Sequence, residues 1–79
     1  MNGVKWRDYI LADPAVMVGK PVIKGTRITV ELIFKKLGHG ETADEILMDY
    51  PHLNREQIYA CLLFAAHTVQ YKRSRKLVV

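Results

Sequence analysis

The feature that most restricts this chain is the run TADEILMDYPHLNREQIYACLLFAAHTV, Thr42 to Val69, in which two helical patterns meet across a proline. Thr42 can cap the first helix and Glu45, three residues on, can reach back to the cap's own N–H, the reciprocal arrangement of a capping box. Ala43, Ile46, Leu47 and Tyr50 recur at i, i+3, i+4 and i+7, and Pro51 disfavours helical geometry at Tyr50. The second helix has three start signals: Asn54 as cap, Gln57 at the capping-box position, and Leu53 with Ile58 as a hydrophobic staple. So short a connection forces the two helices to cross, which is the pattern of a helix-turn-helix.

Upstream, a further helix is expected with Thr29 as cap, Ile28 and Ile33 as the staple pair and Val30, Ile33, Phe34 and Leu37 as its apolar stripe, ended by Gly38 and Gly40. Tyr9 to Ala12 reads as a short strand closed by Asp13 and Pro14. In VMVGKPVIKGTRI, Val16 to Ile28, a tight turn at Lys24 and Gly25 is expected to join Val22 and Ile23 to Arg27 and Ile28. A two-stranded ribbon is marginal alone, so this arm must lie on the helices or pair with another chain. Trp6 is too large to be left in water without reason.

Seventy-nine residues make one domain, and a domain this small buries only about 60 to 65% of its unfolded surface, so association is a natural remedy. No stretch approaches a membrane span and no secretion signal opens the chain, so a cytoplasmic protein with no membrane partner is expected. Cys61 is the only cysteine; it can form no intrachain disulfide, and its setting in IYACLLFAA predicts a small buried side chain.

The closing helix is apolar nearly all round. If Ile58, Leu62, Ala65 and Val69 face the core, the opposite side presents Glu56, Ala60, Leu63, Phe64, His67 and Tyr71. Rotating the assumed core face only exposes a different apolar pair. Leu63, Phe64, His67 and Tyr71 are therefore candidates for a protein interface, and a homodimer is expected.

Charge is informative by position. Four of the twelve basic residues are Lys72, Arg73, Arg75 and Lys76, leaving eight basic against eight acidic in positions 1–71, so the formal excess of +4 lies in the tail. The tail has no helix stop signal and is compatible with either helix extension or a disordered end. A helix-turn-helix suggests DNA binding, in which Asn54, Arg55 and Tyr59 would meet base edges while Lys72, Arg73, Arg75 and Lys76 hold phosphates. Against this, Glu56 would repel phosphate and the outward face offers alanine, leucine and phenylalanine. Helical packing without DNA accounts for the same pattern, and a charge run is commonly a solvated terminus.

Other chemistries find little support. Lys24, Gly25 and Thr26 stand in the wrong order for a phosphate loop. His39, His52 and His67 share no ligand spacing with Cys61 or one another, so no metal is called for. No nucleophile has a plausible base, and Asp44, Glu45, Asp49 and Glu56 are explained by caps, dipole effects and solvated faces. Neither catalytic residues nor a cofactor is expected.

The segments GKPVIKGTRI (Gly19 to Ile28), DEILMDYP (Asp44 to Pro51) and HLNREQIYACLLFAA resemble the domain of unknown function 433 family over roughly residues 8–68. The resemblance implies a homeodomain-like helix-turn-helix fold. The expected class is thus mainly α: an N-terminal β arm (residues 1–28), a three-helix helix-turn-helix core (29–71) and a basic tail (72–79). It also implies a non-enzymatic antitoxin encoded beside a PIN-like ribonuclease toxin; operator DNA, suggested by the helix-turn-helix pattern, is a further expected partner. A stand-alone DNA-binding regulator and a dimerisation module without a nucleic-acid role are the alternatives.

Overall fold

The structure is a computed structural model that describes residues 3–12 and 19–75, with side chains to Gln70. A short 3-10 turn, Trp6–Asp8, leads into strand β1, Ile10–Leu11; strand β2, Val22–Ile23, follows, and then helices α1, Val30–Gly38, α2, Ala43–Asp49, and α3, Arg55–Arg75. The protein is therefore an α-rich, three-helix domain with a two-stranded β pair near its N-terminus.

Each helix start is set by its own side chains. The Thr29 hydroxyl accepts from the Leu32 amide at 3.0 Å and opens α1. Thr42 Oγ1 accepts from Glu45 N at 3.1 Å while Glu45 Oε1 accepts from Thr42 N at 2.8 Å, completing the capping box of α2. Asn54 Oδ1 accepts from Gln57 N at 3.0 Å and Gln57 Oε1 accepts from Asn54 N at 2.7 Å, so α3 starts in the same reciprocal way. At the end of α1, Gly40 takes φ +95°, a region L side chains avoid. This lets the Gly40 and Glu41 amides return to the carbonyls of Leu37 and Lys36, the Schellman stop.

The stretch Tyr9 to Ala12, read as a short strand, supplies β1: Ile10 pairs with Ile23 and Leu11 with Val22 in antiparallel register, whereas the sequence suggested only small edge strands or a β-arch about a turn at Lys24 and Gly25. The turn itself is present. Gly25 has φ +80°, the Thr26 amide and hydroxyl both donate to the Ile23 carbonyl, and Ile23 N donates to Ile28 O at 2.9 Å. The chain leaving this turn meets β2 only at an isolated bridge between Val22 and Thr29, because α1 begins there and its cap must leave the strand direction. The turn expected at Asp13 and Pro14 lies outside the described residues.

The core is aliphatic. Ile10, Val22, Ile23, Val30, Ile33, Ile46, Leu53, Ile58, Ala60 and Cys61 are buried, drawing on every strand and helix. Leu53 and Ile58, the staple pair of α3, both belong to it. Among the described residues no buried polar side chain lacks a hydrogen-bond partner, so none of them adds the cost of about 1–3 kcal/mol that an unpaired one carries.

Outside the core, Lys36 ties α1 to α2, its ammonium reaching Asp49 at 3.2 Å and Glu41 at 3.4 Å. The hydrogen bond to Asp49 is the main cause that raises the Lys36 pKa.

Candidate surface on the closing helix

Helix α3 decides what the domain can offer a partner. Its inner face is Ile58, Ala60, Cys61 and half-buried Phe64 and Ala65. Leu62 and Val69, expected to point inward, are instead 45% and 56% exposed, so the helix is rotated from the orientation assumed. Periodicity could not have fixed this, because every position from Ile58 to Ala66 is apolar and each rotation buries some aliphatic side chains. The choice falls to the small residues Ala60 and Cys61, which let α3 come close to the rest of the core.

Phe64 and His67, candidates for a partner interface, meet the N-terminal arm. The Trp6 indole approaches Phe64 edge-on, with centroids 5.1 Å apart and planes at 76°, the geometry aromatic quadrupoles prefer. The His67 ring lies 5.4 Å from the same indole and the Arg7 guanidinium 4.4 Å over it. Leu63 is 41% exposed, in line with its assignment to the surface. Tyr59, a candidate base reader, lies on that surface too, 44% exposed. Tyr59, Leu62, Leu63, Ala66 and Val69 are spaced so that they run as one stripe along the outside of α3. From Ala66 to Gln70 every residue is exposed, although the His67 ring still meets the Trp6 indole. The helical backbone continues to Arg75 and carries Lys72 and Arg73 with it. Of the residues named at the sequence level, Tyr71, Lys72, Arg73 and Arg75 are described by backbone alone, and Lys76 lies outside the described residues.

The other candidate base readers are committed within the domain. The Asn54 side-chain oxygen is the cap of α3. Arg55 donates to Asp44 at the start of α2, an ion pair on the surface. The start of α3 thus pairs its arginine with Asp44 and carries Glu56 in its first turn, an acidic character unfavourable to a phosphate backbone.

Cys61 is fully buried, and burial pushes its thiol up to about 12, which leaves it the small core side chain expected. Among the described residues, no three His, Cys, Asp or Glu side chains lie close enough to hold a metal ion. No helix among them is long and apolar enough to cross a membrane.

A small three-helix domain with a β pair and a long, partly exposed closing helix is the class these features define. The chain belongs to the family described as Protein of unknown function (DUF433), whose model matches residues 10–65. That match opens at β1 and closes at Ala65; Trp6 and the later turns of α3 lie outside it. The uncharacterized protein y4eO of Sinorhizobium fredii (strain NBRC 101917 / NGR234) is 27% identical over 59 residues, covering 75% of this chain and 27% of the relative. The chain thus spans about a quarter of the length of the curated relative it matches. No solved structure matches it.

Proposed function

We propose that this protein is a non-enzymatic antitoxin that binds and neutralises a PIN-like ribonuclease toxin. The family resemblance motivates the reading. The observation that carries it is the last part of α3, whose helical backbone continues through Lys72 and Arg73 to Arg75. A metal-dependent nuclease needs clustered acids, and a basic helix inserted among them forms charge-assisted hydrogen bonds while blocking access for the RNA phosphates. Lys72, Arg73, Arg75 and Lys76 are the groups assigned this task. Co-expression with the neighbouring reading frame tests it: the antitoxin rescues growth and the two proteins co-purify, whereas a harmless neighbour that does not associate contradicts the reading.

A second reading is DNA binding through the same basic end. Its support is that the cluster is helical as far as Arg75 and so presents its charge on one continuous element. With Asn54 and Arg55 bonded inside the domain, such binding is sequence-independent, and its affinity falls with a log–log salt slope of roughly −3 to −4 if each basic residue meets one phosphate. Discrimination between operator and random DNA that is lost in Arg55→Ala would instead restore base reading to the start of α3.

A further inference from the structure

We infer that the exposed stripe of α3 is the contact between two copies of this chain, packed antiparallel about a two-fold axis at position 64. The stripe is made of Tyr59, Leu62, Leu63, Ala66 and Val69, of which Tyr59, Leu62, Leu63 and Val69 are between 41% and 56% exposed. Position 64 is the midpoint between Tyr59 and Val69, and it lies one residue from the centre of the whole helix, Arg55–Arg75. A two-fold operation there sets Tyr59 opposite Val69 of the second copy and Leu62 opposite Ala66. Each of these contacts occurs twice, as an isologous interface requires. Leu62 meets the small Ala66 on both sides of the axis, which allows the close approach of about 8–10 Å between axes that helix packing needs.

Charge selects a second copy and sets its direction. The start of α3 carries Glu56 in its first turn beside Arg55, which is itself paired with Asp44, while the last turns bring Lys72, Arg73 and Arg75. Parallel packing would stack the basic ends on each other. Antiparallel packing places each basic end beside the acidic start of the other helix and opposes the two helix dipoles as well. It also covers the stretch from Ala66 to Gln70, which stands exposed on the single chain and whose Thr68 and Val69 are weak helix formers.

Two observations test the arrangement. A Leu62→Cys chain is mixed with an Ala66→Cys chain under mild oxidation, Cys61 being buried and slow to react. Disulfides between unlike chains are expected; predominant linkage of Leu62→Cys to itself indicates parallel helices and overturns the proposal. Light scattering then compares the wild type with a Leu62→Ala, Leu63→Ala variant, in which both substitutions retain strong helix formers at exposed sites. The wild type is expected at twice the single-chain mass and the variant at the single-chain mass with unchanged far-ultraviolet circular dichroism. A variant that stays dimeric, or a wild type that is monomeric at about 100 μM, overturns it.

Discussion

Arg55, the first residue of α3, is joined by an ion pair to Asp44 in the first turn of α2. The pair holds together the two helix starts that a DNA-reading helix-turn-helix would leave free for bases and phosphates. Since the Asn54 side chain is used in the cap of α3, this end of the domain is built for its own cohesion. What remains open to partners is the outer face of α3 and its later turns.

Asn54 provides the sharpest separation of a structural from a base-reading role. As a cap it contributes an acceptor, which aspartate supplies equally well; to read adenine it would need its amide donor too. Asn54→Ala is expected to lower stability by about 1 kcal/mol, and Asn54→Asp to leave the thermal midpoint unchanged or higher, because a carboxylate also favours a helix N-terminus. Chemical denaturation of the three proteins measures both.

Trp6 joins the N-terminal arm to α3 through Phe64. Trp6→Ala should cost about 1–3 kcal/mol, the low side of the range for a large aromatic because the ring is only half-buried. Trp6→Phe should recover much of it. Unfolding followed by circular dichroism gives the values, and a Trp6→Ala protein as stable as the wild type would show that the arm is not docked.

Acid sensitivity should depend in part on Glu31. The Lys20 ammonium, 3.2 Å away, is the main cause holding this carboxyl below the usual glutamate range, with Lys35 adding to it. A group whose pKa is lower folded than unfolded stabilises the native state above its unfolded value, about 4.3, and loses that contribution as pH falls through the folded value. Glu31→Gln should therefore lower the thermal midpoint slightly at pH 7 and converge with the wild type as pH falls through the folded value. Scanning calorimetry across that range makes the comparison.

Cys61 should be silent to thiol reagents in the native protein. With its thiol at about 12, the thiolate is roughly one part in ten thousand at pH 8, and the side chain is closed to solvent. Reaction with an aromatic disulfide should wait on unfolding, so its rate should rise with denaturant and reach the free-cysteine rate once the chain is unfolded.

Sequence and structure agree where the determining interactions are local. Thr29, Thr42 and Asn54 cap the three helices because each cap is completed within three residues, and Leu53 with Ile58 is likewise a short-range pair. Choices between distant partners were not legible. Val22 and Ile23 could meet either Ile28, a turn away, or Ile10, and the preference for β1 depends on where α1 turns the chain. The orientation of α3 was hidden for a related reason: a helix apolar on all sides has no phase to read, so its facing depended on the close approach permitted by Ala60 and Cys61. Trp6 signalled that it needed cover, while nothing in its neighbourhood named Phe64. The ion pair from Arg55 to Asp44 spans two helices and was invisible to reasoning one helix at a time.

The account rests on α3 being an association helix whose outer stripe is covered in solution. Sedimentation equilibrium of the full chain from about 1 to 100 μM tests this most directly. A species of two 9.1 kDa chains, dissociating towards the lower concentrations and more readily at high salt, is the predicted result; a single 9.1 kDa species across the whole range would contradict it.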